Sequence, residues 1–73
     1  MNHVKLNQGE EYMTLGQFLK LTGTIHTGGE AKVFLMNTEV YVNGERDIRR
    51  GKKLRPGDHI KIGEKEEYVI SQS

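Results

Sequence analysis

The sequence predicts an α+β domain in which two short helices pack on a small antiparallel sheet. Three observations predict it. Apolar residues recur twice at helical spacing, as Leu15, Phe18, Leu19 and as Ala31, Phe34, Leu35. Beyond residue 39 the pattern changes to period two, in Val40-Tyr41-Val42 and again from His59 to Ile62. Between these, Asn43-Gly44 is a hairpin signal, because both positions of a tight type I′ turn require positive φ.

Taken in order, residues 1–9 lack a period and are expected to form a flexible N-terminal arm, with the single domain running over residues 10–71. Tyr12 and Met13 suit a short strand. Thr14 caps the first helix, and Gly23 ends it. Thr27 and Glu30 have the order of a capping box at the start of the second helix. After the hairpin, residues 46–53 are expected to hold the return strand and a loop, and Leu54 is a core anchor. Arg55-Pro56-Gly57-Asp58 reads as a type II turn, with Pro56 presetting φ and Gly57 supplying the positive φ that follows. In the strand beyond it Ile60 and Ile62 point inward and His59 and Lys61 outward. Residues 63–67 are a polar connection, Tyr68-Val69-Ile70 adds a last strand, and Ser71-Gln72-Ser73 is a frayed tail.

Length and composition narrow the function. A chain of 73 residues holds one small domain, which buries only about 60% of its unfolded surface. With 34% hydrophobic and 29% charged residues the core must be thin. The absence of cysteine excludes disulfides and thiolate metal sites. No stretch reaches the roughly 20 apolar residues of a membrane span, and the N-terminus is not a signal peptide, so a cytoplasmic chain is expected.

The net charge of +1 conceals a strong asymmetry. Residues 46–55 hold six bases (Arg46, Arg49, Arg50, Lys52, Lys53, Arg55) against Asp47 alone, a local +5 that leaves −4 for the rest. Such a separation steers and orients a phosphate-bearing partner, although a charge run also simply keeps a loop solvated. Arg49 and Arg50 fork donors onto phosphate, Lys52 and Lys53 act as point charges, and Gly51 allows close backbone approach. Six phosphate contacts would give a slope of log affinity on log salt of roughly −4 to −5 as an upper bound. A second anion site is expected where the amides of Gly28, Gly29 and Glu30 open the second helix behind Thr27, with Lys32 one turn in. Against it, Gly28-Gly29 would equally serve a tight inter-helix turn, and Glu30 repels phosphate. Phe18 and Phe34 belong to the core. Lys20 and His26 flank the inter-helix turn and could line the RNA face, although plain solvent exposure explains each equally well.

Enzyme chemistry has little support. The only serines are Ser71 and Ser73, the three histidines lack metal-ligand spacing, and Thr27-Gly28-Gly29-Glu30-Ala31-Lys32 is not a phosphate loop of the Gly-x-x-x-x-Gly-Lys type. A β-grasp sulfur carrier shares the look of the Val42-Asn43-Gly44-Glu45 and Gly57-Asp58-His59-Ile60 segments. Its chemistry requires a Gly-Gly C-terminus, whereas this sequence ends Ser71-Gln72-Ser73. The remaining alternative is a protein-interaction adaptor that uses the sheet edge and the basic run to bind an acidic partner.

Phe18-Leu19-Lys20, Gly29-Glu30-Ala31-Lys32, Val40-Tyr41-Val42-Asn43-Gly44-Glu45 and Leu54-Arg55-Pro56-Gly57-Asp58-His59-Ile60, in this order and spacing across residues 15–62, resemble the S4 RNA-binding domain. Thr27-Gly28-Gly29-Glu30-Ala31-Lys32 and Arg49-Arg50-Gly51-Lys52-Lys53-Leu54 look most like the small stand-alone bacterial S4 proteins of the YaaA type. Many enzyme-attached S4 domains open their helices with Arg-Leu-Asp and Ser-Arg. This chain has Thr14-Leu15-Gly16 and Gly28-Gly29 there, so more of the electrostatic work falls to residues 46–55. The resemblance implies an S4-like (αL motif) fold and non-catalytic binding of structured RNA, with ribosomal RNA or a ribosomal particle as partner. It also implies a ribosome-associated, cytoplasmic monomer with no cofactor, metal, membrane or small-molecule substrate. The RNA-binding residues expected are Thr27, Gly28, Gly29, Lys32, Arg46, Arg49, Arg50, Lys52, Lys53 and Arg55.

Overall fold

The structure, a computed structural model, describes residues 2–72. Its elements are β1 (Asn2–Lys5), β2 (Met13–Thr14), α1 (Leu15–Leu21), α2 (Gly28–Asn37), β3 (Val40–Val42), β4 (Glu45–Arg46), β5 (Lys53–Leu54), β6 (His59–Ile62) and β7 (Glu66–Ser71). The predicted two-helix α+β architecture is present. One sheet has the order β1-β7-β6-β3-β4, and a separate two-stranded ribbon joins β2 to β5.

Local chemistry explains most boundaries. Thr14 and Gln17 form a reciprocal capping box at α1, Thr14 Oγ1 accepting from the Gln17 N–H at 3.2 Å and Gln17 Oε1 from the Thr14 N–H at 2.9 Å. Gly23, at φ +80°, ends the helix, and the N–H of Thr24 closes onto the Leu19 carbonyl at 3.0 Å. Asn43 (φ 52°) and Gly44 (φ 86°) make the tight hairpin turn from β3 to β4. Gly57 (φ +95°) occupies the turn that the Asp58 N–H closes on the Arg55 carbonyl at 3.0 Å. Asn43 ties these two turns together: its Nδ2 donates to Asp58 Oδ1 at 3.0 Å and its Oδ1 accepts from the His59 N–H at 2.9 Å.

The core lies between the helices and one sheet face. Phe18, Leu15, Leu19 and Leu35 are fully buried, and the alternation in β6 sends Ile60 and Ile62 in and His59 and Lys61 out. Phe18 meets Tyr68 of β7 edge to face, with ring centroids 5.1 Å apart. Phe34 is only half-buried, since α2 packs chiefly through Ala31 and Leu35.

Four expectations are corrected. The N-terminal segment is not a loose arm: β1 pairs in parallel with β7 from Asn2↔Tyr68 to Lys5↔Ser71, and Leu6 is 2% exposed in the core. Only Val4 and Leu6 carry the apolar signal in this segment, which is too short to show a period, and its strand forms by pairing with residues more than sixty positions away. The sheet is therefore mixed rather than wholly antiparallel. Ser71 belongs to β7 and accepts from the Leu6 N–H at 2.9 Å, so the tail does not fray there; Met1 and Ser73 lie outside the described residues. The return strand and loop expected over residues 46–53 are present, by contrast, the strand ending at Arg46 because Asp47 turns inward and binds Arg49. The capping box expected at α2 does not form, the Thr27 hydroxyl instead donating to the Glu30 carboxylate at 3.4 Å.

No described helix is long and apolar enough to cross a membrane.

Candidate nucleic-acid interface

The basic run is bolted to the start of α1 through its backbone. Leu15 N–H donates to the Lys52 carbonyl at 2.8 Å and Gly16 N–H to the Arg50 carbonyl at 2.9 Å, while Met13 and Thr14 pair with Leu54 and Lys53 across the ribbon. This contact depends on Gly16. A Cβ there would stand 3.3 Å from the Arg50 carbonyl oxygen, tighter than ordinary packing, and 3.5 Å from the Arg50 Cβ, an ordinary contact. A glycine inside a helix is costly, and here its lack of a side chain lets the basic loop approach.

The consequence is a groove of 350 Å³ between α1, the first turn of α2 and the loop, lined by Thr14, Gly16, Gln17, Lys20, Gly28, Ala31, Arg50 and Gly51. It brings Arg50 and Gly28, 22 positions apart in sequence, into one concave surface with Lys20 between them. Lys32 follows Gly28 by one helical turn on the same side of α2 and is exposed. Thr27 caps no amide with its side chain, so the N–H groups of Gly28 and Gly29 stay available at the positive end of the helix. The Glu30 N–H, by contrast, is spent on the Thr27 carbonyl at 3.2 Å. Neither Gly28 nor Gly29 has a positive φ, and a Cβ at Gly28 would meet nothing within 4 Å. Backbone geometry therefore does not demand glycine at either position, contrary to the tight-turn explanation.

Beside the groove, Thr14 leads to a second cationic patch. Its ladder partner Lys53, together with Arg55, lies against the exposed ring of Tyr12.

Three of the expected cations lie elsewhere. Arg49 is neutralised by the protein's own acid: its Nε donates to Asp47 Oδ1 at 3.1 Å and its terminal nitrogen to Oδ2 at 2.8 Å, with the Arg49 N–H also on Oδ1 at 2.8 Å. Lys52 is half-buried and shares a depression with Asp47, Glu45 and Arg49. Arg46 sits on the edge strand beside the exposed Met36 and Ile48. The ten expected residues thus do not form one array. Arg50, Lys53 and Arg55 flank α1 and the start of α2, whereas Arg46, Arg49 and Lys52 follow the hairpin.

The Asp47 turn has a pH signature. The Arg49 side chain, reinforced by its N–H, holds the Asp47 carboxyl below the usual carboxylate range despite burial. A lowered folded value means that the stabilisation is complete above the unfolded value of about 3.9 and is lost as pH falls through the lower folded value. Asp47→Asn should therefore melt below wild type at neutral pH, with the gap closing below about pH 4, as followed by thermal unfolding across that range. A constant gap at every pH would assign the carboxylate no electrostatic part.

A depression of 440 Å³ lies on the sheet face turned away from the core and is lined in part by Glu39, Tyr41, His59, Lys61, Glu64 and Glu67. Three carboxylates make it a poor phosphate site. The face is nevertheless of mixed charge, since Tyr41 pairs with both Arg46 and Lys61, and Lys61 with Glu67. Among the described residues no group of three or more His, Asp or Glu is arranged to hold a metal ion.

The sequence singles out neither Tyr12 nor Gly16 for the site, and it leaves Lys20 open between the RNA face and plain solvent exposure. Glycine at the second position of a helix was the available signal for Gly16. The juxtaposition of Tyr12 with Lys53 and Arg55 requires the β2–β5 register.

The described geometry accords with the family comparison, in which the S4 domain matches residues 4–71. The chain belongs to the S4 domain family. It is also 58% identical over 52 residues to the probable ribosome maturation protein RlbA of Bacillus subtilis (strain 168), covering 71% of this chain and 73% of that relative. The match to the S4 family begins at Val4 and so takes in the second half of β1.

Proposed function

We propose that this S4 domain protein binds structured RNA without catalysing a reaction and acts in ribosome maturation, with ribosomal RNA in an assembling particle as its ligand. The observation that carries this reading is the convergence of Arg50, Lys20 and the Gly28 end of α2 on one groove, with Lys53 and Arg55 beside it. Fixed cations and backbone donors on a rigid surface suit the closely spaced phosphates and 2′-hydroxyls of folded RNA. The name of the Bacillus relative supports the ribosomal setting and, with it, a cytoplasmic location.

RNA enters over α1 and the start of α2, where Arg50 forks donors onto a phosphate and the Gly28 and Gly29 amides approach a second.

The test is sedimentation of the tagged protein with ribosomal particles from a cell extract. Association at low salt, release as salt rises, and release on nuclease digestion are expected. Retention on a protein partner after complete RNA digestion would instead favour the adaptor reading.

A further inference from the structure

Alternation along the β2–β5 ribbon places Met13 and Leu54 in the core, so the residues flanking them face out. Continuing the register Met13↔Leu54 by one step sets Tyr12 opposite Arg55, with Lys53 as its diagonal neighbour. The side chains meet accordingly: Lys53 Nζ is 5.0 Å and the Arg55 guanidinium carbon 5.7 Å from the centre of the Tyr12 ring. The ring is exposed, unlike those of Phe18, in the core, and Tyr68, which packs on it. An aromatic face attended by two mobile cations has the parts of a nucleotide site, since base stacking uses the ring while phosphates on either side use the charges.

We propose that Tyr12, Lys53 and Arg55 form a subsite for one unpaired nucleotide, its base stacked on Tyr12 and its flanking phosphates held by the two cations. This rests on the RNA-binding reading above and names what that reading lacks, a preference for RNA with a bulged or looped-out base next to the stem in the groove. In the free protein the cations cover the ring; phosphates draw them off it and leave the π-face to the base. An acidic peptide would engage the cations and gain nothing from the ring.

Two synthetic RNA hairpins with the same stem, one carrying a single bulged adenine, provide the test with wild type, Tyr12→Phe and Tyr12→Leu. Wild type and Tyr12→Phe should prefer the bulged hairpin by about tenfold, within the range of one base–aromatic stack. Tyr12→Leu should lose that preference and keep the salt-dependent affinity for the perfect stem. Zero-length ultraviolet crosslinking of the bulged hairpin should mark the tryptic peptide of residues 6–20 at Tyr12, its other aromatic residue, Phe18, being fully buried. Equal affinity of wild type for both hairpins, or an unchanged preference in Tyr12→Leu, overturns the subsite and leaves the RNA-binding reading standing. Salt-insensitive or absent binding of both hairpins by wild type overturns both.

Discussion

Leu6→Ala is expected to remove a large part of the protein's stability, a strong effect for a residue in a segment that reads as a loose arm. Leu6 is 2% exposed and joins the same core as Phe18 and Ile70, at the point where β1 leaves its pairing with β7. Removing a buried leucine side chain costs about 2–5 kcal/mol, counting both lost transfer energy and the cavity left behind. A natural domain of 73 residues is stable by only about 4–11 kcal/mol at the usual 0.05–0.15 kcal/mol per residue. Urea denaturation followed by circular dichroism should show a midpoint shifted far toward zero denaturant. Leu21→Ala is the control, since Leu21 is 62% exposed and its loss should change stability by no more than about 0.5 kcal/mol. An unchanged midpoint in Leu6→Ala would mean that the segment is not part of the folded unit.

The second large effect is on binding. Simultaneous replacement of Arg50, Lys53 and Arg55 by alanine should lower affinity for ribosomal RNA by about 10²- to 10³-fold near 0.1 M salt. It should also make the salt slope shallower by about 2–3, because each phosphate contact contributes roughly 0.7–0.9 to that slope. All three side chains are exposed, so the variant should remain folded. Arg49→Ala is the informative contrast. Its guanidinium already holds Asp47, so its removal should disturb the turn more than RNA binding. Filter binding over a salt series, with circular dichroism on each variant, separates the two outcomes. A triple variant that binds as wild type does would sink the electrostatic interface. Replacing Arg49, Arg50, Lys52 and Lys53 together would be less clean, because Arg49 is ion-paired and Lys52 half-buried.

Much of the fold was legible because its signals are local. Helical spacing in Leu15, Phe18 and Leu19, the positive-φ pair Asn43-Gly44 and the alternation of His59 to Ile62 each depend on a few neighbouring residues. They fixed both helices, the hairpin and the inward faces. β1 was not legible, because a short strand with two apolar residues is stabilised by partners at the far end of the chain rather than by its own pattern.

The candidate site divides along the same line. Sequence alone determined that a strong positive charge is concentrated in residues 46–55 and that Gly28-Gly29 opens the second helix. Tertiary structure decided which of those charges are available. It spent Arg49 on Asp47, moved Arg46 to the sheet edge, joined Arg50 to Gly28 through a contact that Gly16 permits, and set Tyr12 against Lys53 and Arg55. Charge is a property of composition, whereas a charge's partner is a matter of distance, and distances between residues far apart in sequence exist only once the chain has packed.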